Sequence, residues 1–196
     1  MKAIVELKRR LDVLPGNVLQ DHISIEGFSR AGVLVPLVAN GQDLEILFTK
    51  RTETVETHKG QIAFPGGMVD ICDKDIVGTA LREAEEEIGL ERDSVSILGT
   101  LDDIATPTRF VITPVVGFIK QLPPLTPNPD EVADVFRVPL AFFADEENGR
   151  KELREFRGGI HEVWFYDVSG HLVWGATARI IRSLLKHIRA DYPAKA

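Results

Sequence analysis

Residues 81–90 read LREAEEEIGL. Glu83, Glu85, Glu86 and Glu87 fall within five positions of a segment whose other residues favour a helix. Like charges three and four apart on a helix repel one another by roughly 0.2–0.5 kcal/mol per pair. At about 100° per residue, Val77, Ala80, Leu81, Ala84 and Ile88 form one narrow apolar stripe. Glu83 and Glu87 border that stripe, Glu86 stands one step outside it, and Glu85 lies on the opposite flank. Carboxylates at the rim of a buried face lose hydration, and burial and mutual repulsion both raise their pKa values. A divalent cation relieves both effects, and hard oxygen ligands suit Mg²⁺ or Mn²⁺. Arg82 can pair with Glu86 four residues on and hold it in place. A solvated acidic face is the bland alternative.

The region around this helix sharpens the reading. Phe64-Pro65-Gly66-Gly67 ends a short apolar run just before the acidic loop 70–75. Paired glycines let a ligand approach the backbone closely, or they simply make a tight turn. A helix is expected from Ile76 to Ile88, with Gly89 as its stop.

Working outward, 31–39 and 44–51 read as strands joined at Asn40-Gly41, and Pro36 suggests an edge or a bulge. Residues 61–67 form a short strand broken by Pro65. Strands are expected at 95–103 and 110–119. Residues 121–130 hold four of the eleven prolines and form a loop. Residues 130–144 lead from a strand into a short helix. Residues 162–168 and 171–174 form a hairpin across Ser169-Gly170, with Trp164, Phe165 and Trp174 in the core. A terminal amphipathic helix covers 177–188. The N-terminus carries a short helix at 3–12, with Ile4, Leu7 and Leu11 on one side. The expected class is α+β, a mixed sheet between helices in an α/β/α sandwich. The expected organisation is a lead-in at 1–29, one domain at 30–190 and a tail at 191–196.

Composition sets wider limits. The chain has 196 residues, 44% hydrophobic and 27% charged, with a net charge of -7. That charge argues against a nucleic-acid partner, which favours a basic face. The lone Cys72 rules out an intrachain disulfide and fits a reducing compartment. No apolar run approaches the roughly 20 residues needed to span a bilayer. The N-terminus lacks the apolar stretch of a secretory signal. No membrane partner and a cytoplasmic location are expected.

Residues 66–90, GGMVDICDKDIVGTALREAEEEIGL, resemble the Nudix box, G-x5-E-x7-R-E-U-x-E-E-x-G-U with U apolar. Arg82, Glu83, Ala84, Glu86, Glu87, Gly89 and Leu90 match its second half without gaps. Gly67 to Arg82 is one residue longer than the pattern, and Asp73 fills the first acidic position. Upstream, LFTKRTETVETHKGQIAFPGG (47–67) is similar to the coenzyme A diphosphatase branch, L-L-T-x-R-S-x3-R-x3-G-x3-F-P-G-G. Leu47, Thr49, Arg51, Gly60, Phe64, Pro65, Gly66 and Gly67 fall in register. Phe48, Thr52 and Glu56 depart from it, and Glu56 reverses a charge.

The resemblance implies a Mg²⁺- or Mn²⁺-dependent diphosphatase that splits coenzyme A into 3′,5′-ADP and 4′-phosphopantetheine by water attack on phosphorus. It implies Glu83 and Glu87 as metal ligands, Glu86 as a further ligand or the group that orients water, and Arg82 as the orienting partner. Glu131 and Glu162 are candidate bases. Arg51 and Lys59 are candidate phosphate contacts, and Gly66 and Gly67 candidate substrate-facing backbone. ADP-ribose, nucleotide sugars, NADH and nucleoside triphosphates stay open as substrates, as do an inactive nucleotide-binding regulatory module and a homodimer.

Overall fold

Alternation along the central strands decides the layering. On β1 (Ser29–Asn40), Leu34 and Val38 enter one buried cluster, and Val35 and Leu37 enter the other. β2 (Asp43–Arg51) repeats the pattern, with Leu47 on the first side and Ile46 and Phe48 on the second. A strand with apolar side chains on both faces must be covered on both faces. The computed structural model, which describes residues 4, 7, 9, 24–53, 59–156 and 159–188, meets that requirement. Helix α1 (Ile76–Ile88) packs Ala80, Ala84 and Ile88 on one side. Helix α3 (Gly175–Ile188) packs Ile180, Ile181, Leu184, Leu185 and Ile188 on the other.

Among the described residues, the larger sheet has eight strands, with the path β3-β2-β1-β7-β5. It comprises β1, β2, β3 (Ile62–Ala63), β4 (Gly66–Met68), β5 (Ser96–Thr100), β6 (Ile104–Ala105), β7 (Phe110–Ile119) and β8 (Val132–Pro139). β1 runs parallel to β7 and antiparallel to β2 and β4. Helix α2 (Leu140–Ala144) follows β8. A second sheet has the order β11-β10-β9, from β9 (Gly149–Phe156), β10 (Gly159–Val168) and β11 (His171–Trp174). The class is α+β, as expected.

Several local expectations change. Pro36 lies neither at an edge nor in a bulge, for it sits opposite Gly117 in the unbroken β1–β7 register. On its other side β1 pairs with β4 through Val33 and with β2 only from Leu37. The missing N–H of Pro36 therefore falls between two pairings. The strand expected at 95–103 is shorter, ending as β5 at Thr100, and a separate two-residue strand, β6, follows it at Ile104–Ala105. β9 was not expected at all. Trp174 is 38% exposed, stacked on the buried Phe165 rather than enclosed in the core.

Ile4, Leu7 and Arg9 are helical, and Leu7 is fully buried in the cluster under α3. Leu11 and the tail 191–196 lie outside the described residues. Among the described residues, no helix is long and apolar enough to cross a membrane.

Candidate active site

Helix α1 is fixed at both ends by its own sequence. The Asp75 carboxylate accepts the Gly78 N–H at 2.8 Å, capping the first turn. At the other end Gly89 adopts φ 67° and donates to Glu85 O, while Leu90 donates to Ala84 O. The helix also lies very close to β1, because a Cβ on Gly32 would come within 2.8 Å of Ile76 O. Beside Gly32 and Val33, Gly67 and Gly66 of β4 run antiparallel to β1. A Cβ on Gly66 would lie 2.6 Å from Gly32 O and Val33 Cα. A Cβ on Gly67 would lie 2.5 Å from both Glu83 carboxylate oxygens. The two glycines therefore give the strand room at the sheet and the Glu83 carboxylate room above it.

Arg82 is the hub of this cluster. Its Nε and Nη2 donate to the two Asp73 oxygens at 2.9 and 3.0 Å, a bidentate pair. Nη2 also donates to Met68 O at 3.1 Å. Nη1 reaches Glu83 Oε1 at 2.9 Å and Glu86 Oε2 at 2.8 Å. Asp73 accepts further hydrogen bonds from Thr79 Oγ1 and from the Asp70 N–H, both at 2.9 Å. The Arg82 hydrogen bonds are the main reason that the Asp73 carboxyl is held well below the usual range. The same bonds push the Arg82 guanidinium up, so both groups stay charged. The first acidic position of the box thus acts as an anchor for the arginine, a role the sequence left open.

Glu87 goes further inward than a rim position. It is only 4% exposed, and burial pushes its carboxyl up to about 8. Arg51 opposes that shift, with Nη1 3.9 Å from Glu87 Oε1. The charges of Glu83 and Glu131 add to it, and the Gly66 N–H offsets part of it. Burial also raises the Glu83 carboxyl, against the pull of Arg82. Glu131 reaches this neighbourhood because the proline-rich loop docks on the end of α1. Thr126 N–H donates to Ile88 O at 2.9 Å, and Asn128 N–H donates to Glu87 O at 2.8 Å. Asn128 Nδ2 then donates to Glu131 Oε1 at 3.3 Å. Sequence reasoning missed Asn128, although an asparagine between two prolines is a ready side-chain donor and acceptor for a turn.

The sequence model of the NUDIX domain matches residues 28–165, well over half of the chain. The uncharacterized Nudix hydrolase NudL of Photorhabdus laumondii is 39% identical over 159 residues, covering 81% of this chain and 84% of the relative. The chain belongs to the Nudix hydrolase family. Solved Nudix structures agree on the fold. A MutT/nudix family protein from Enterococcus faecalis superposes with TM-score 0.57 at 18% identity, over 97% of this chain and 75% of its own. A NUDIX hydrolase from Alicyclobacillus acidocaldarius gives TM-score 0.55 at 19% identity, over 83% of this chain and 93% of its own.

Within this Nudix fold the expected residues do not all converge. Glu83, Glu86 and Arg82 form one connected group, and Glu87 with Arg51 forms a second beside it. The charge of Glu131 acts on both. Lys59 is exposed on the turn leading to β3, and among the described residues no ion pair joins it to the carboxylates. Glu162 sits on β10 and pairs with Lys151 at 2.8 Å. Glu56 lies outside the described residues.

Among the described residues, no three His, Cys, Asp or Glu side chains are gathered closely enough to hold a metal as they stand. Arg82 Nη1 engages one carboxylate oxygen of Glu83 and one of Glu86. The donor set still fits a hard divalent ion. Glu87 is a buried carboxylate with a strong desolvation penalty, and Glu83 rests in a space that only a glycine leaves.

Proposed function

We propose that this Nudix hydrolase cleaves the diphosphate of coenzyme A, releasing 3′,5′-ADP and 4′-phosphopantetheine, with Mg²⁺ or Mn²⁺ as cofactor. Arg51 carries the reading. It belongs to the upstream coenzyme A motif, not to the box, yet its guanidinium stands 3.9 Å from the buried Glu87 of the box helix. A motif found only in sequence is thereby joined to the acidic helix in space.

Glu83 and Glu87 would hold the metal, with Glu86 as a third ligand or the group that orients water. When bound, the divalent ion neutralises the diphosphate oxygens and the charge that develops on the leaving group. Arg51 would bind a diphosphate oxygen, which the planar guanidinium suits. Glu131, positioned by Asn128, would take the proton of the attacking water. Arg82 is a positioning residue that sets the carboxylates of Glu83 and Glu86. Gly66 and Gly67 would let the diphosphate approach the backbone.

The test is product-resolved hydrolysis of coenzyme A with Mg²⁺ or Mn²⁺, beside ADP-ribose and NADH, for the wild type and Glu87→Gln. The expected result is 3′,5′-ADP from coenzyme A, reduced by about 100-fold or more in a folded Glu87→Gln variant. Cleavage of another diphosphate alone would overturn the substrate and keep the site. No cleavage with either metal would favour a nucleotide-binding module instead.

A further inference from the structure

The edge of the smaller sheet carries a pattern that hydrolysis does not use. β9 ends the order β11-β10-β9, and Arg150, Lys151, Leu153, Arg154 and Glu155 on it are exposed. Leu153 is 67% exposed. Ile160 on the neighbouring β10, opposite Glu155 and on the same face, is 74% exposed. An edge strand is an open template for pairing, and charged residues on it commonly block that pairing.

Here the charges are ordered about Leu153. Glu152 on one side mirrors Arg154 on the other, and Lys151 mirrors Glu155. Two such strands laid antiparallel about a two-fold axis at Leu153 place Glu152 opposite the second copy's Arg154. Lys151 then stands opposite the second copy's Glu155, and symmetry repeats both pairs. Directly opposite residues share a face, so opposite charges there attract and like charges repel. Neighbouring registers fail. Centred on Glu152, Arg150 meets Arg154. Centred between Leu153 and Arg154, Glu152 meets Glu155. Centred between Glu152 and Leu153, Lys151 meets Arg154. General edge protection requires charge but not this mirror order.

We propose that β9 pairs with β9 of a second copy of this chain, antiparallel about Leu153, joining the two small sheets into one. The two exposed Leu153 side chains then meet at the axis, and Ile160 of each copy flanks them on the same face. Within one copy, Glu152 already pairs with Arg150 and with Arg154. These contacts line the charges along the edge before the copies meet.

Sedimentation of the full chain over a concentration series, at low and high salt, tests this. A dimer that weakens as salt rises is expected. Arg154→Glu sets Glu against Glu152 and should raise the dimer Kd about tenfold or more. Adding Glu152→Arg to that variant restores the mirror order and should return the Kd to near the wild-type value. A wild type that is monomeric throughout overturns the proposal. So does a dimer indifferent to Arg154→Glu, or one that the double exchange fails to restore. If circular dichroism shows Arg154→Glu to be unfolded, Leu153→Lys decides, because it places like charges at the axis and leaves the strand's ion pairs intact. Loss of the dimer in that variant supports the pairing, and its persistence overturns it. None of these residues belongs to the hydrolytic site, so either outcome is independent of the coenzyme A assay.

Discussion

At the scale of single residues, the acidic cluster depends on the absence of a side chain. Gly67 leaves the space in which the Glu83 carboxylate rests, and an added Cβ would be 2.5 Å from each of its oxygens. The strand cannot yield easily, because Gly66 beside it is pressed against the β1 backbone. Gly67→Ala should therefore move Glu83 by an ångström or so. Misplacement on that scale costs about 100-fold in rate. The expected outcome is a loss of kcat of that order with little change in the melting temperature. Wild-type kcat in Gly67→Ala would show that Glu83 needs no such cradle. Asp73 works differently. It accepts four hydrogen bonds, two of them from Arg82, and so fixes the guanidinium that orients Glu83 and Glu86.

At the scale of elements, the two ends of α1 set where its carboxylates stand. Gly89 takes the left-handed conformation that closes the helix, and Thr126 packs 3.1 Å from where a Cβ would sit. Gly89→Ala should destabilise the fold by about 1 kcal/mol or more, measured by chemical unfolding. An unchanged midpoint would show that the loop and cap relax freely. This helix was legible because its signals are local: an aspartate cap, a 3.6-residue stripe and a glycine stop. The depth of Glu87 was not. Periodicity puts it at the rim, and the loop that covers it arrives from some forty positions away through Thr126 and Asn128. β9 was missed for a related reason. Its Arg-Lys-Glu-Leu-Arg-Glu run looks like a solvated segment, and only pairing with β10 makes it a strand. Pro36 misled because edge and bulge are the usual places for a strand proline, whereas here two partner strands meet end to end beside it.

At the scale of the whole molecule, the buried Glu87 links global stability to pH and, through its proposed role as a ligand, to metal. Its ordinary carboxyl value is 4.5, and in the folded chain burial raises it to about 8. Between those values the folded state holds a proton that the unfolded state has lost. Stability from this group is therefore fully present below pH 4.5 and is lost as pH rises through about 8. The slope approaches about 1.4 kcal/mol per pH unit at most, and a few kcal/mol in total is the expected scale. Arg51 opposes the rise without cancelling it. Chelator-treated wild type should thus lose stability across this window, measured by urea unfolding. Glu87→Gln should remove that loss, because the amide has no proton to release. The difference between the two proteins isolates Glu87 from every other titrating group. As the proposed ligand, Glu87 would hold Mg²⁺ or Mn²⁺ in its charged form, so stabilisation by added metal should grow as pH rises. A pH slope that survives in Glu87→Gln would assign the linkage to another group. Metal stabilisation that is flat with pH, and equal in the variant, would place the ion away from Glu87.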